Sequence, residues 1–599
     1  MFLSRIEISN FRNFEHLDVK LGRTTVVVGE NNIGKSNLLH ALRLVLDPKL
    51  PDAARQLREE DFWDGLKQPL KNKTVIEIAV EFQDFQQDKS ILAVLQSYLV
   101  KGVTPDTARL TYRFRPRSPL PKGRDLTIED YEFVVFGGVD EKNRVGHDVR
   151  RWIPIELLPA LRDAESDLSA WRDSPLRPLI ERLQIAPTKL ETVAGTIDQA
   201  TNELMKEKDI QTLITSIESR LAKMIGGVIS IGPSLGFTPT NPDRLLRSLK
   251  MFGDGTSKRN VSDLSLGINN ILYLLLLSLE LERKEAVSER ATTILAIEEP
   301  EAHLHPHLQR LVFRDFLRRK SPVLLTTHSP HVASVAPLPS ILLLKQDQNK
   351  KSSIGRSTHE AKLSEQDVSD LERYLDATRA EILFAQGIIL VEGASEIFLL
   401  PAFASCFGTP LDEHGITVCS VHGTDFVPYV KLLGSYGLKL PFIVVTDGDW
   451  YESTRGEILS RGFRRAIEIF KAAGYPEFPT LEALHKSRKW PDINKIVAER
   501  GVFVGKRTLE VDLFNVGYGP ELASTFEELG ISQQMLERAK ELVGMQAPMT
   551  TEAEEQFMSD IERVGKGRFA QRFAAKVDKE RCPDYIRGSL THIDKVLSQ

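Results

Sequence analysis

An apolar β-branched run, a glycine-rich loop and a helical pattern follow one another between Thr24 and Leu46, and no other stretch of the 599 residues restricts the possible folds as far. TTVVV stops at Gly29, the loop Gly29-Glu30-Asn31-Asn32-Ile33-Gly34-Lys35-Ser36 comes next, and the helix that starts at Lys35 is ended by Asp47-Pro48. The spacing is that of a P-loop, set between strand and helix as the motif requires. Backbone N–H groups around Gly29, Asn31, Asn32 and Gly34 are expected to cradle phosphates at the helix N-terminus. Lys35 would reach the β and γ groups, and the Ser36 hydroxyl would ligate Mg²⁺ beside ATP.

Three further segments suit the same site. ILAIEEPEAHLHP is an apolar strand ending in Glu298 and Glu299, a place to hold Mg²⁺ and polarise a water beside the γ-phosphate. Before it, Leu264-Ser265-Leu266-Gly267 introduces a helix whose amides could bind a phosphate; after it, PVLLTT ends at His328-Ser329. His303, His305 and His307 lack cysteine or acidic partners at ligand spacing, so they do not read as a zinc site.

In the second half, GIILVEGASEIFLL places Glu392 at the end of a buried strand and Glu396 on the first turn of the next helix. FIVVTDGDW ends a second strand with Asp447 and Asp449, alternate residues that point to the same side. Acids clustered on apolar strand ends repel one another unless divalent cations neutralise them.

Length alone calls for two to four domains. Strand patterns at 75–82, 108–114 and 131–135 add antiparallel elements to a mixed sheet. From 159 to 224 the pattern is helical and charged, and the patterns of the nucleotide-binding domain resume near Gly226. QDQNKKSSIGRST has the composition of an exposed loop or linker, so a boundary is expected there. A helix over SEQDVSDLERYL then leads into a second α/β domain, and the last ~70 residues read as helical. The expected division is 1–158 and 226–375 for the nucleotide-binding domain, 159–225 for a helical insertion, 376–520 for the carboxylate-bearing domain and 521–599 for a helical extension.

Bulk properties exclude several classes. ILYLLLLSLEL is too short to cross a bilayer and reads as a buried helix, and charged residues interrupt the N-terminus too often for a signal peptide. Cys406, Cys419 and Cys582 fit no disulfide framework, which makes the cytoplasm the expected location. With a net charge of -5, any contact with polyanions must come from local patches. RGFRRAIEIFK and KGRFAQRFAAKVDKER are two such stretches; each reads equally as a DNA-backbone contact or as a solvated helix face.

ISNFRNF, GENNIGKS, LSLG, EEPEAHLHP and THS together resemble ABC-type ATPases of the SMC and RecF kind. The resemblance implies a dimer in which Ser265 and Gly267 act in trans on the partner's ATP, Glu299 activates water and His328 contacts the γ-phosphate, with Arg12 a further phosphate candidate. Two features depart from it: Glu298 stands where an aspartate is usual, and the spacing leaves no room for a long coiled coil, so the insertion is expected to serve dimerisation. The Glu-Gly and Asp-x-Asp motifs resemble the TOPRIM module. A primase would bring a cysteine-rich zinc domain and a topoisomerase a nucleophilic tyrosine in context; neither is found, and RAEILFAQGIILVEG resembles the entry into TOPRIM of the OLD family. That resemblance adds Glu510, and after it Asp512, as ligands of a second metal, and Lys566 near the scissile phosphate.

The expectation is therefore an ATP-regulated DNA endonuclease with two divalent ions, Mg²⁺, Mn²⁺ or Ca²⁺, held by Glu392, Glu396, Asp447, Asp449, Glu510 and Asp512. By the same resemblance it would work in anti-phage defence, as a homodimer or larger assembly, with room for a helicase-like or other partner. Two alternatives stay open: an ATP-dependent DNA clamp whose acids are structural, and a nucleotide-sensing subunit of a defence complex.

Overall fold

A computed structural model describes residues 1–597 except 122, 160–167, 169–173, 184, 226–241, 248, 250, 255–258, 287–291, 319–321, 348–350, 375–378 and 455. Met1–Leu158, Thr292–Glu301 and Pro306–Gln599 form one compact unit; Pro159–Ala291 with Ala302–His305 form another.

The first unit contains three sheets of four or more strands among the described residues. Strands Phe14–Lys20, Phe2–Phe11, Ile76–Gln83, Ala108–Pro116 and Tyr131–Gly137 make an antiparallel sheet in that order, separate from the mixed one. Its inner face is set by alternation, as with Ile6 and Ile8 fully buried along the first strand. The mixed sheet has the order Ser353–Ser357, Ile341–Gln346, Thr24–Val28, Val323–Thr327, Ile294–Glu298, Ile155–Leu158, and all but its first strand run parallel. Parallel strands buried on both faces need continuous apolar runs, which VVV, VLL and ILAI supply. Their C-terminal ends lie side by side, the usual location of a ligand site in such a sheet.

The linker expected over QDQNKKSSIGRST is corrected. Ser353–Ser357 is an edge strand paired antiparallel to Ile341–Gln346, with Ser353 and Ser357 buried. Gly355 explains why so polar a stretch can pack: a Cβ there would meet Leu17 Cδ1 at 2.6 Å and Val19 Cγ1 at 2.8 Å, so the missing side chain lets the strand lie against Phe14–Lys20.

The third sheet, Ile416–Ser420, Gly387–Val391, Phe442–Thr446, Val502–Val504, is wholly parallel. One core joins its Ile389, Val391 and Val445 to Phe526, Phe557, Phe569 and Phe573 of the C-terminal helices, so the last helices complete this half of the chain.

The second unit contains helices Pro187–Leu204 and Lys208–Ile225, the helical stretch expected from 159 to 224. The resumption near Gly226 lies outside the described residues. Helix Leu266–Ala286, over which ILYLLLLSLEL reads as a buried helix, is buried on part of its circumference. Leu274, Leu276, Leu277 and Leu281 are buried, whereas Leu275 and Leu279 are 48% and 44% exposed, because 3.6 residues per turn carry an unbroken apolar run round the whole helix. Among the described residues no helix is long and apolar enough to cross a membrane.

Candidate nucleotide and metal sites

Three neighbouring parallel strands deliver the nucleotide-site residues to one edge. Thr24–Val28 leads into the loop, Ile294–Glu298 ends at the acid pair and Val323–Thr327 ends at His328. Gly34 caps helix Lys35–Leu46 at φ 102°, and a Cβ on it would stand 3.2 Å from the Asn13 side chain. Gly29 precedes it, and Asn31 and Asn32 lie exposed on the loop.

The Lys35 ammonium, 4% exposed, donates to Gly29 O and Glu30 O at 2.9 Å each and lies 3.6 Å from Glu299 Oε1. Burial lowers its pKa, opposed by Glu299. Ser36 Oγ hydrogen-bonds Glu298 Oε1, so the extra methylene of Glu298 does not take its carboxylate out of reach, and the hydroxyl and carboxylate can ligate one Mg²⁺. Glu299 adopts φ 41°, a left-handed conformation for a non-glycine residue at the end of a strand. Its Oε1 is also 3.6 Å from His328 Nδ1. Arg12 is held by Asp61 and Asn37, each at 2.8 Å.

Glu301 escaped the sequence reading although it stands in the quoted EEPE segment. It is 5% exposed, and its Oε1 accepts from Thr327 Oγ1 at 2.7 Å and from the His328 N–H at 3.0 Å, fixing the turn that carries the histidine. Ser265 and Gly267 belong to the second unit. Ser265 is exposed at the start of Leu266–Ala286, and Gly267 allows that helix onto His303, whose carbonyl a Cβ would meet at 2.5 Å.

At the third sheet, Glu392 follows Gly387–Val391 and Asp447 follows its neighbour Phe442–Thr446. Glu392 Oε1 accepts from Thr446 Oγ1 and from the Asp447 N–H at 2.9 Å, and it is ion-paired with Arg465 Nη2 at 2.8 Å. Asp449, at φ 41°, is bound by Arg465 Nη1 at 2.8 Å. Glu396 is buried on the first turn of helix Ala394–Cys406, and Glu510 accepts from Ser395 Oγ at 2.6 Å. Asp447 Oδ1 accepts from the Leu509 N–H at 3.1 Å.

These acids feel one another. Burial raises Glu396 to about 7, with Glu510 adding to it, and burial followed by Glu396 and Glu392 holds Asp447 well above the usual carboxylate range. Glu392 is raised by burial against the pull of Arg465. Among the described residues no three acidic or imidazole side chains close around one point; the carboxylates of Glu392, Asp447, Asp449 and Glu510 are held by protein donors instead. Hard oxygen donors, burial and mutual repulsion suit divalent cations.

Lys566 begins helix Lys566–Phe573, and its charge lowers the Glu396 pKa. The close approach comes from Gly567, where a Cβ would stand 3.1 Å from the Ala394 Cβ. Asp512 is turned elsewhere: its Oδ2 accepts from the N–H groups of Lys506 and Arg507 at 2.9 and 3.1 Å, and burial raises it to about 6. Glu510 therefore joins the carboxylate group, while Asp512 anchors the loop before it.

Arg465 and Thr446 were missed as site residues. Thr446 directly precedes Asp447, so adjacency could have flagged it; Arg465 sits inside the basic stretch RGFRRAIEIFK, where nothing distinguishes an inward arginine from an outward one. Arg464, next to it, is 72% exposed, and Arg465 is 10% exposed.

Family models match on both halves: an AAA ATPase domain over residues 1–144 and 150–333, and an Overcoming lysogenization defect protein-like TOPRIM domain over 383–449. The chain is 26% identical over 468 residues to the OLD nuclease of Thermus scotoductus, covering 75% of this chain and 82% of that one. It is 23% identical over 576 residues to Endonuclease GajA of Bacillus cereus, covering 88% and 92%. The C-terminal region of the Burkholderia pseudomallei OLD protein, a solved structure, is 37% identical over 36% of this chain and 99% of that chain, with a TM-score of 0.31.

Proposed function

The chain belongs to the OLD family, an ATPase domain followed by a TOPRIM domain, and from that premise we propose that it cuts DNA at the Glu392 carboxylate cluster under the control of ATP bound at Lys35. It is an ATPase and an endonuclease. The observation that supports this location of DNA cleavage is the mutual influence of carboxylates beside the parallel strand ends: after burial, Glu396, Glu392, Glu510 and Asp449 each push Asp447 upward, and the Lys566 charge acts on Glu396. Divalent cations held there supply an activated water and stabilise the leaving oxygen.

The side chains divide the remaining work. Lys566 offsets the charge that develops on the scissile phosphate. At the other site Lys35 binds phosphate oxygens, Ser36 and Glu298 hold Mg²⁺, Glu299 orients water and His328 meets the γ-phosphate. Ser265 and Gly267 complete the site of a second copy, which makes the working ATPase a dimer joined through the helical insertion, 159–225. The remaining segments are 1–158 and 226–375 for the ATPase, 376–520 for the TOPRIM domain and 521–599 for the extension. The setting is defence against phage in the cytoplasm.

Supercoiled plasmid cleavage at saturating Mg²⁺, Mn²⁺ or Ca²⁺ tests the nuclease site. Lys566→Ala should slow cutting by at least ~100-fold, the scale of one lost electrostatic contact to the transition state, without changing ATP hydrolysis. Unchanged cutting would move the phosphate-binding role away from Lys566.

A further inference from the structure

We infer that Arg465 is a positioning residue of the metal centre, which fixes Glu392 and Asp449 so that Glu392 turns its Oε2 oxygen toward a divalent cation. The inference rests on the nuclease reading of this site. Glu392 Oε1 already accepts from two donors, the Thr446 hydroxyl and the Asp447 N–H, and is ion-paired with Arg465 Nη2 at 2.8 Å, so the surroundings of that oxygen are taken. The same guanidinium reaches Asp449 Oδ2 at 2.8 Å and the Asp447 carbonyl at 2.7 Å, so one planar group ties together three residues of the site.

The backbone places the arginine there. Helix Arg461–Ala473 starts on the Asp447–Asp449 turn itself: Arg461 N–H donates to Asp449 O at 3.1 Å, Gly462 N–H to Gly448 O at 3.2 Å, and the capping Ser460 hydroxyl to Gly448 O at 2.6 Å. A Cβ on Gly462 would lie 2.1 Å from Asp447 O, so only glycine admits the helix this close. Three residues later the same helix face presents Arg465.

Charge points the same way. Two divalent cations neutralise four of the five carboxylates of Glu392, Glu396, Asp447, Asp449 and Glu510, and Arg465 supplies the fifth positive charge, leaving Lys566 for the DNA phosphate. A fixed guanidinium also holds Glu392 and Asp449 together before any cation arrives, as outer-shell hydrogen bonds do for metal ligands.

Mn²⁺ binding to the full-length protein without DNA, followed by electron paramagnetic resonance, tests this independently of cleavage. Arg465→Gln should weaken Mn²⁺ binding about tenfold or more. Arg465→Lys, which keeps the charge but cannot span three acceptors, should fall between it and the wild type, and Thr446→Val should move in the same direction. ATP hydrolysis and circular dichroism report folding; should Arg465→Gln not fold, Arg465→Lys and Thr446→Val carry the test. Unchanged or tighter Mn²⁺ binding in the folded variants overturns the positioning role even if cleavage is lost. Absence of Mn²⁺ binding by the wild type overturns the metal-centre reading and the inference with it.

Discussion

Gln386 donates a side-chain hydrogen bond to Glu30, joining the second residue of the P-loop to the residue that precedes strand Gly387–Val391, at whose far end stands Glu392. Nearby, the Lys345 ammonium donates to the carbonyl of Ala385, and burial lowers it to about 8 against the pull of Glu30. The P-loop and the strand that leads to Glu392 thus share a polar contact. Gln386→Ala should bring the ratio of cleavage rates with and without ATP toward one, while metal-dependent cutting without ATP stays within about twofold. An unaltered ATP response would show that coupling runs by another route.

Glu301 holds Thr327 and His328 in place through one buried carboxylate oxygen. Glu301→Leu keeps much of the volume and removes the acceptor oxygen, so ATP hydrolysis should fall about tenfold or more as His328 loses its fixed orientation. Nucleotide binding, read by fluorescence of a labelled ATP analogue, should change far less. Equal losses in both would mean that Glu301 supports the loop and not the histidine.

His40 stacks on Phe11 at a centroid distance of 6.1 Å, and burial, with Arg12 next, lowers its pKa from 6.5 to about 4. A folded-state pKa below the unfolded one means that the unfolded chain binds more protons between those values. Its contribution to stability is therefore present above pH 6.5 and is lost as pH falls toward 4. His40→Gln should flatten that part of the curve of melting temperature against pH relative to wild type. Parallel curves would assign the acid sensitivity to other groups.

What the sequence disclosed and what it concealed follow from distance along the chain. Gly34, Lys35 and Ser36 share one loop, and Glu392 and Asp447 each end an apolar strand, so local pattern sufficed for them. Arg465 reaches Glu392 from 73 residues away, and the relation exists only because Gly462 lets a helix rest on the Asp447 carbonyl. Asp512 and Glu510 are two residues apart in TLEVDLF, and both carry a carboxylate. The chain path turns one to Ser395 and the other to the N–H groups of Lys506 and Arg507, a distinction that no spacing reveals. The polar edge strand Ser353–Ser357 was hidden for a similar reason, since Gly355 packs through the absence of a side chain.

The nucleotide site and the carboxylate site should act as separable centres, and one paired assay tests this. Plasmid cleavage and ATP hydrolysis are measured on the same preparations of wild type and Glu392→Ala, with Mg²⁺, Mn²⁺ or Ca²⁺ present. Glu392→Ala should lose metal-dependent cutting and keep ATP hydrolysis. Full cutting by Glu392→Ala, or a wild type that hydrolyses ATP yet cuts nothing under any of the three ions, would contradict it.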